Sequence, residues 1–490
     1  MAKQQTAQKI RREPMSRVDT AWLRMERPTN LMMITGVLMF DTPMAIDRLR
    51  KVIKQRFLSY PRFRQKAVDG PTGAVWEDDA DFDLDWHVRL TALPGRAGKR
   101  ELERFVSQLA STPLDQTKPL WQFHLVESYH GGCALVARIH HCYADGIALV
   151  QVLLSLTDTT AEAGKGSDLE SAWLKDESPS GKRDGGFEKY KKIGTQVLAK
   201  GMEFYKDPSL AAVLANEGRE IARELLNAIM LPDDPPTVLK GRLGVSKRVA
   251  WAEPLALADV KAVSRAYRCT VNDVLMASAA GALRSYLLDR GEPIDGVTLR
   301  ATVPVNLRPL KHAKKLGNHF GLVFLDLPVG EDNPVRRLER VAAHMHELKT
   351  SRQAIVSFGL LAAMGLAPAA VQSMALDLFS RKATAVATNV PGPKMPLYMG
   401  GQKLREMMFW VPQTGNVGIG ISIMSYQDHV HFGLIADGRL MPDPDAVIRR
   451  FGPEFEKLLY LAMLGDWDDP LRAWDAEQMR ANLLETHGIA

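Results

Sequence analysis

Apolar and polar positions divide the chain into alternating buried strands and amphipathic helices. Residues 31–40, LMMITGVLMF, are apolar almost throughout and predict a buried strand. The stretch that follows, up to about Leu58, carries apolar residues at helical spacing. PLWQFHLVES and CALVARIHH then predict two strands joined by the turn YHGG, and Gly146 to about Leu156 predicts a buried helix.

The pattern changes between about Thr157 and Pro236, where polar, flexible stretches surround two segments of helical periodicity. Beyond it, strands and helices return, including a long apolar helix in TVNDVLMASAAGALRSYLLDRG and a run of strands to about Asp437. We therefore predict an N-terminal subdomain over 1–160, a linker with helices over 161–240 and a C-terminal subdomain over 241–490. Because both halves mix strand and helix, the expected class is α/β (α+β) with two layers of similar size.

One long segment, Gln353 to Leu376, carries no charge and has the length of a membrane-spanning helix. It is rich in Ala and Gly, and Pro368 should break it into two short helices. Three interpretations stay open: a span, plain core helices, or helices that line a lipid pocket or lie on a membrane.

Composition narrows the class of protein. The chain has 490 residues, 46% of them hydrophobic, and a formal net charge of +6, with no Lys/Arg block typical of nucleic-acid binding. Its three cysteines are not in metal or disulfide spacing, and the polar N-terminus has no apolar core of a signal peptide. We therefore expect a cytoplasmic protein without nucleic-acid partners.

Two adjacent histidines, His140 and His141, stand at the predicted end of a strand, and Asp145 and Gly146 open the next helix. Neighbouring residues on an extended backbone point to opposite faces, so one imidazole can face a cleft while the other faces the core. Loops at strand ends commonly carry catalytic groups. The simpler interpretation of Asp145 alone is a helix cap.

His-His-x-x-x-Asp-Gly occurs here together with five other segments, and all follow one another in a fixed order. The combination resembles the bacterial wax ester synthase/acyl-CoA:diacylglycerol acyltransferase family, within the superfamily of the chloramphenicol acetyltransferase-like fold. The resemblance covers roughly Pro14 to Pro444. The other segments are PLDQTKPLW, VNDVL, VPVNLRP, LGNHFG and TNVPGP.

The resemblance implies two chloramphenicol acetyltransferase-like subdomains with mixed sheets and an active site in the cleft between them. It implies that His141 is the general base, that His140 orients the loop, and that Asp145 is an anchor. An arginine would pair with Asp145, and Arg308 is the first choice, with Arg24 as the alternative. No metal or bound cofactor is implied, since acyl-CoA is a substrate and coenzyme A a product.

Asn272 is the candidate donor to the oxyanion, because a carboxamide supplies two N–H groups at the entry of a long helix. Asp273 beside it is expected to have a structural role, with helix capping as the simpler interpretation. Two further segments are assigned by the resemblance to substrate binding. They are Pro119, Leu120 and Trp121, near the acyl or acceptor pocket, and Asn389, Pro391, Gly392 and Pro393, which would shape the cleft. For Trp121 a position in the core is an equally open interpretation.

The expected activity is transfer of a fatty acyl group from acyl-CoA to a long-chain alcohol or to diacylglycerol. Two alternatives remain: an acyltransferase of the same fold with a carrier-bound donor, and a non-catalytic lipid-droplet binding protein. Since such acceptors partition into membranes, the protein is expected to associate peripherally with the inner face of the membrane or with lipid droplets.

Overall fold

A computed structural model describes residues 11–70, 73–162, 223, 227–228, 230–307, 316–351, 353–364, 369–465 and 470–486. Most of the predicted linker, 163–222, and Arg308 lie outside the described residues. The strands are β1 (Arg12–Pro14), β2 (Met33–Phe40), β3 (Gln65–Val68), β4 (Val75–Asp78), β5 (Val88–Thr91), β6 (Trp121–Tyr129), β7 (Gly132–His140), β8 (Lys247–Trp251), β9 (Leu255–Ala256), β10 (Leu299–Asn306), β11 (Phe320–Leu327), β12 (Ala385–Val390), β13 (Tyr398–Met399), β14 (Gln402–Trp410), β15 (Ile419–Tyr426) and β16 (His429–Asp437).

Helices cover the sheets, and each predicted amphipathic segment among the described residues corresponds to one of them. They are α1 (Arg17–Arg24), α2 (Ile46–Gln55), α3 (Leu84–His87), α4 (Lys99–Ala110), α5 (Gly146–Ser155), α6 (Leu257–Ala266), α7 (Val271–Asp289), α8 (Pro334–Thr350), α9 (Gln353–Met364), α10 (Ala369–Ser380), α11 (Asp445–Leu464) and α12 (Ala473–Thr486).

Two large mixed sheets form the framework. The first has the order β13-β14-β2-β7-β6-β5, and the second has the order β11-β10-β12-β15-β16-β8, with β9 paired to β16. β2 and β7 are buried along their whole length, as their apolar sequences require. β14 comes from the second half of the chain but pairs with β2, so the later half completes the sheet of the first.

Helix α4 of the first half closes an edge of the second sheet. Three side chains on or just after α4, spaced four residues apart, accept hydrogen bonds from backbone N–H groups of the edge strand β8. Glu103 Oε1 accepts from Trp251 at 3.4 Å, and Ser107 Oγ accepts from Val249 at 2.9 Å. Ser111 Oγ, just after the helix, accepts from Lys247 at 2.7 Å. Side chains thus satisfy the alternate N–H groups that an edge strand would otherwise leave exposed, which joins the two halves.

The uncharged segment forms two helices, α9 and α10, as the sequence predicts. Pro368 itself lies within 365–368, outside the described residues. In the part of the chain that the structure describes, no helix has both the length and the apolarity to cross a membrane.

Candidate active site

The histidine pair lies where β7 ends, and Asp145 is the N-cap of α5. The backbone N–H of His141 donates to Met32 O at 2.7 Å, which ties the loop to the neighbouring chain. The side chain of His140 is buried, with Nε2 3.1 Å from Glu26 Oε2. His140 Nδ1 accepts from Cys142 N at 3.1 Å, so its proton lies on Nε2 and faces Glu26.

Glu26 is also buried, which by itself opposes ionisation. The contact with His140 outweighs that effect and holds the pKa of Glu26 below its ordinary value. Met32 N donates to the same carboxylate at 3.2 Å. His140 and Glu26 therefore fix the back of the loop, which agrees with the orienting role expected for His140.

His141 points the other way, into the cleft. Its ring stacks on Trp22 with the ring centroids 4.1 Å apart, and the Phe320 ring lies 5.6 Å away. Burial, with a smaller contribution from His140, lowers the pKa of His141 to about 3. The imidazole is therefore neutral at physiological pH and able to accept a proton.

His141 borders a cavity of about 90 Å³ between the two halves of the chain. Its walls come from α1, the His141 loop, β10, β11, β12 and the chain after β14. The lining residues are Trp22, His141, Asp145, Gly146, Thr302, Pro304, Asn306, Phe320, Leu322, Val386, Thr388, Asn389, Val390, Val411, Pro412 and Thr414.

Asp145 is held by both halves of the chain. Its Oδ1 accepts from Ala148 N at 2.9 Å as a helix cap, and its Oδ2 accepts from His319 N at 3.1 Å. The alternative partner, Arg24, is wrong, because its guanidinium binds Asp69 at 2.8 Å. Arg308 lies outside the described residues, so that pairing stays a prediction.

Asn272 is hydrogen-bonded to a residue of the cavity wall. Its Oδ1 accepts from Asn389 Nδ2 at 2.9 Å, and Asn389 borders the cavity. Asp273 caps α7 through a capping box with Thr270, accepting from Thr270 N at 2.7 Å. The structural role expected of Asp273 is thus the cap itself.

Pro119, Leu120 and Trp121 do not border the cavities described here. The Trp121 ring is fully buried in the core of the first half, where it stacks on His87 with centroids 4.2 Å apart. Its Nε1 donates to Phe63 O at 2.8 Å. Placing this segment at the substrate pocket is therefore not supported by the geometry, because a large ring with satisfied polar atoms fills the sheet core.

The turn after β12 packs on the hairpin of β15 and β16. Gly392 N donates to Ser425 Oγ at 3.1 Å, and a Cβ at Gly392 would lie 2.0 Å from Ser425 O. Pro393 O accepts from Gln427 N at 2.8 Å. Pro391 is exposed, so from this segment Asn389 is the predicted residue at the cavity.

Two further cavities lie next to the one at His141 and share wall residues with it. The larger, about 270 Å³, shares Trp22, Thr302, Leu322 and Thr414 with it and is bordered by α9 and α10. The narrower, about 30 Å³, shares Gly146, Thr388, Val390 and Val411 with it and has an apolar lining between α5 and the two sheets.

One regular floor runs under both the cavity at His141 and the larger cavity. In β10 and β11 the directly opposed pairs run from Asn306/Phe320 at the histidine to Arg300/Asp326 at the far end. Alternate residues share a face of a strand, so this floor extends roughly 20 Å. At the far end Asp326 is 47% exposed, which places that end at the protein surface.

Sequence reasoning assigned no role to several residues that touch His141. Trp22 lies ahead of the first predicted strand, 31–40, and Phe320 and Asn318 lie in LGNHFG. Asn318 Nδ2 donates to His141 O at 2.9 Å and to Asp19 Oδ1 at 2.8 Å. The order of the motifs indicated that this segment belongs to the site, but the contact itself joins two residues that are 177 positions apart in the sequence.

Comparisons with known proteins identify the family of the chain. The sequence model of the wax ester synthase/diacylglycerol acyltransferase catalytic domain matches residues 15–275, and that of the WS/DGAT C-terminal domain matches residues 316–459. The chain belongs to this family. A Mycobacterium tuberculosis protein named as a probable diacylglycerol O-acyltransferase is 30% identical over 81% of this chain and 84% of its own length. The chain is thus an acyltransferase of the family, as the motifs predicted.

Solved structures confirm the expected fold. The wax ester synthase/diacylglycerol acyltransferase of Marinobacter aquaeolei VT8 superposes with a TM-score of 0.66 at 24% identity, over 92% of this chain and 99% of that one. The first condensation domain of the calcium-dependent antibiotic synthetase reaches a TM-score of 0.58 at 15% identity, over 95% and 98% of the two chains. At these identities the likeness concerns the fold.

Proposed function

We propose that this acyltransferase moves a fatty acyl group from acyl-CoA to a long-chain alcohol or to diacylglycerol, with His141 as the general base. One observation carries the proposal: the neutral imidazole borders a cavity that shares wall residues with two others, so that reacting groups with long chains can approach it from both sides. Both chains would then lie in cavities with apolar walls, where their burial is favourable.

The chemistry follows from that placement. His141 removes the proton from the acceptor hydroxyl while the oxygen attacks the thioester carbonyl carbon. The tetrahedral intermediate collapses with cleavage of the C–S bond, and the proton passes from the imidazolium to the sulfur of coenzyme A. An ester and free coenzyme A result, with no bound cofactor in any step.

Developing negative charge on the carbonyl oxygen needs a donor. We assign this to the pair of carboxamides Asn272 and Asn389. Asn389 donates one N–H of Nδ2 to Asn272 and borders the cavity, so we assign its second N–H to the carbonyl oxygen of the thioester. Asn272 then orients this donor, and loss of a preorganised donor typically costs about 3–4 kcal/mol of transition-state stabilisation.

A product analysis of the purified protein tests the function. Palmitoyl-CoA is offered with hexadecanol and, separately, with a diacylglycerol, and the release of coenzyme A and of ester is measured. The proposal predicts turnover with at least one acceptor and a loss of roughly 100- to 10,000-fold in His141→Ala. Turnover that needs a carrier-bound acyl group, or full activity in His141→Ala, would contradict it.

The site of action is proposed to be the inner face of the membrane or a lipid droplet, in the cytoplasm. Val371 and Met374 on α10 are 52% and 73% exposed, and Arg381 follows the helix with 59% of its side chain exposed. Apolar side chains flanked by a cation favour an anionic interface. Leu360 and Leu361 are not suitable contacts, because both border the larger cavity.

Liposome sedimentation tests this surface. Val371→Asp with Met374→Asp should reduce binding to anionic liposomes at low salt while keeping activity on a short, soluble alcohol. Val245→Asp is the matched control, since Val245 is 56% exposed elsewhere on the surface. Equal binding of the double variant and the control would refute this contact, and resistance of the wild type to both salt and carbonate would indicate a membrane span.

A further inference from the structure

The narrow cavity of about 30 Å³ lies where two small residues meet in the first sheet. In β2 and β7, Ile34 opposes Ile139 in the row beside the histidine loop, and Gly36 opposes Ala137 in the next row on the same face. Helix α5 covers this face and contributes residues to the cavity wall. Because glycine and alanine fill little space, a hollow remains between the sheet and the helix.

The ring of Phe409 lies at the far side of this hollow. Phe409 is directly opposite Gly36 on β14, and a Cβ at Gly36 would come within 2.5 Å of its Cε1 atom. The ring therefore occupies space that a side chain at position 36 would need. The next row on this face consists of Met407, Leu38 and Leu135, which are 2%, 2% and 0% exposed. Within the described part of the chain, no residue of that row lines the cavity, so the hollow ends where Phe409 and Gly36 stand.

The other end of the narrow cavity lies beside the proposed oxyanion donor. The narrow cavity shares Thr388 and Val390 with the cavity at His141, and these two residues flank Asn389 on β12. The residues that the larger cavity shares with it lie on α1, β10, β11 and the chain after β14, and none of them adjoins Asn389 in the sequence. An acyl chain that extends from a carbonyl group bound by Asn389 therefore has the narrow apolar cavity beside it.

A chain that reaches the row of Gly36 and Ala137 meets the Phe409 ring. Closely packed interiors accept additional atoms poorly, so each further methylene group must displace the ring. Since Gly36 has no side chain, removal of the ring would leave space that a longer acyl chain, or a new side chain at position 36, could fill.

We propose that Phe409 is a specificity-determining residue of the acyl transfer: its ring, seated on Gly36, limits the length of the acyl chain that the narrow cavity accepts. This inference rests on the proposed function, in which Asn389 binds the thioester carbonyl. Because Phe409 lies on β14 and Gly36 on β2, the limit is set where the second half of the chain completes the sheet of the first.

A series of saturated acyl-CoA thioesters, from octanoyl to stearoyl, tests the limit with hexadecanol as the fixed acceptor. Phe409→Ala should raise kcat/KM for stearoyl-CoA relative to octanoyl-CoA by roughly 10-fold or more, because one methylene group in an apolar pocket is worth about 10- to 200-fold. Phe409→Leu, which keeps more of the packing, should change the same ratio in the same direction by less.

A second substitution and a control separate the length limit from a general loss of stability. Adding Gly36→Val to Phe409→Ala refills the space of the ring and should return the ratio close to its wild-type value. Phe105→Ala is the matched control, because Phe105 is also a partly buried phenylalanine packed on a core cluster and lines none of the three cavities. The control should keep the wild-type ratio.

An unchanged ratio in folded Phe409→Ala and Phe409→Leu, or an equal change in Phe105→Ala, would overturn the inference. A change that follows the length of the alcohol instead of the acyl-CoA would also overturn it, since the cavity would then hold the acceptor. Absence of ester formation by the wild type with every acceptor would refute the proposed function. Calorimetric binding of unreactive acyl-CoA thioethers of the same lengths would still decide whether Phe409 limits the chain.

Discussion

His141, the proposed base, should stay uncharged and able to accept a proton at a pH far below that at which an ordinary histidine becomes charged. Burial against Trp22 and Phe320 lowers the pKa of His141 from 6.5 to about 3. That difference of roughly 3.5 in pKa corresponds to about 5 kcal/mol against protonation. We expect kcat/KM, which reports the free enzyme, to show no inflection between pH 5 and 8 that belongs to the base.

The low pKa of His141 also makes the free energy of unfolding depend on pH. The direction of this dependence is opposite to that caused by a histidine in a salt bridge. The folded state keeps His141 neutral, whereas the unfolded chain protonates it below about pH 6.5. The contribution of neutral His141 to stability is therefore complete above pH 6.5 and is lost as the pH falls towards 3. At pH 5 the loss from this one residue is about 2 kcal/mol relative to pH 8.

His141→Gln, which cannot be protonated, isolates that contribution. Urea unfolding at pH 8 and pH 5 should show a smaller acid-induced loss for the variant, by about 2 kcal/mol, than for the wild type. His346→Gln is the control, since His346 is exposed and should leave the loss unchanged. An acid limb near pH 6.5 in kcat/KM, together with equal losses in all three proteins, would refute the buried neutral base.

Three further changes test neighbouring features. Burial raises the pKa of Glu103 to about 7, so its ionisation lowers the stability of the fold as the pH rises from about 4.5 to 7. Glu103→Gln should therefore raise the free energy of unfolding by up to about 3 kcal/mol at pH 8 and by little at pH 4, as measured by urea unfolding. Asp145→Asn should lower the free energy of unfolding by about 1–2 kcal/mol, because the single carboxamide oxygen replaces the two accepting oxygens of the carboxylate. An unchanged melting temperature with abolished turnover would instead assign Asp145 a direct electrostatic role. A Cβ at Gly146 meets no atom within 4 Å, so Gly146→Val should fold normally yet slow transfer of long chains more than short ones; equal rates over a chain-length series would show that this space is not used.

Local patterns were sufficient to predict the frame of the site. The alternation of an extended backbone put His140 and His141 on opposite faces, and the structure pairs the first with Glu26 and places the second at a cavity. The two short helices expected in the uncharged segment are likewise present as α9 and α10, with 365–368 outside the described residues.

Contacts between distant parts of the chain were beyond such patterns. The sequence of β14 does not specify that it pairs with β2 of the first half, because the sequences of both segments predict apolar strands with many compatible partners. For the same reason Trp121 was assigned by resemblance to a pocket, although its neighbours Phe57 and His87 enclose it in the core. Register and packing decide these pairings, and both depend on the whole fold.

The surroundings of His141 meet two demands that oppose each other. Apolar walls keep water from the thioester, but the same walls make the imidazolium costly to form, as the low pKa of His141 shows. A fixed dipole can reduce that cost without admitting water, because it needs no reorganisation during the reaction. The carbonyl group of His141 itself is such a dipole, and Asn318 Nδ2 holds it through a hydrogen bond of 2.9 Å. Replacement of Asn318 should therefore slow the chemical step more than it weakens the binding of either substrate.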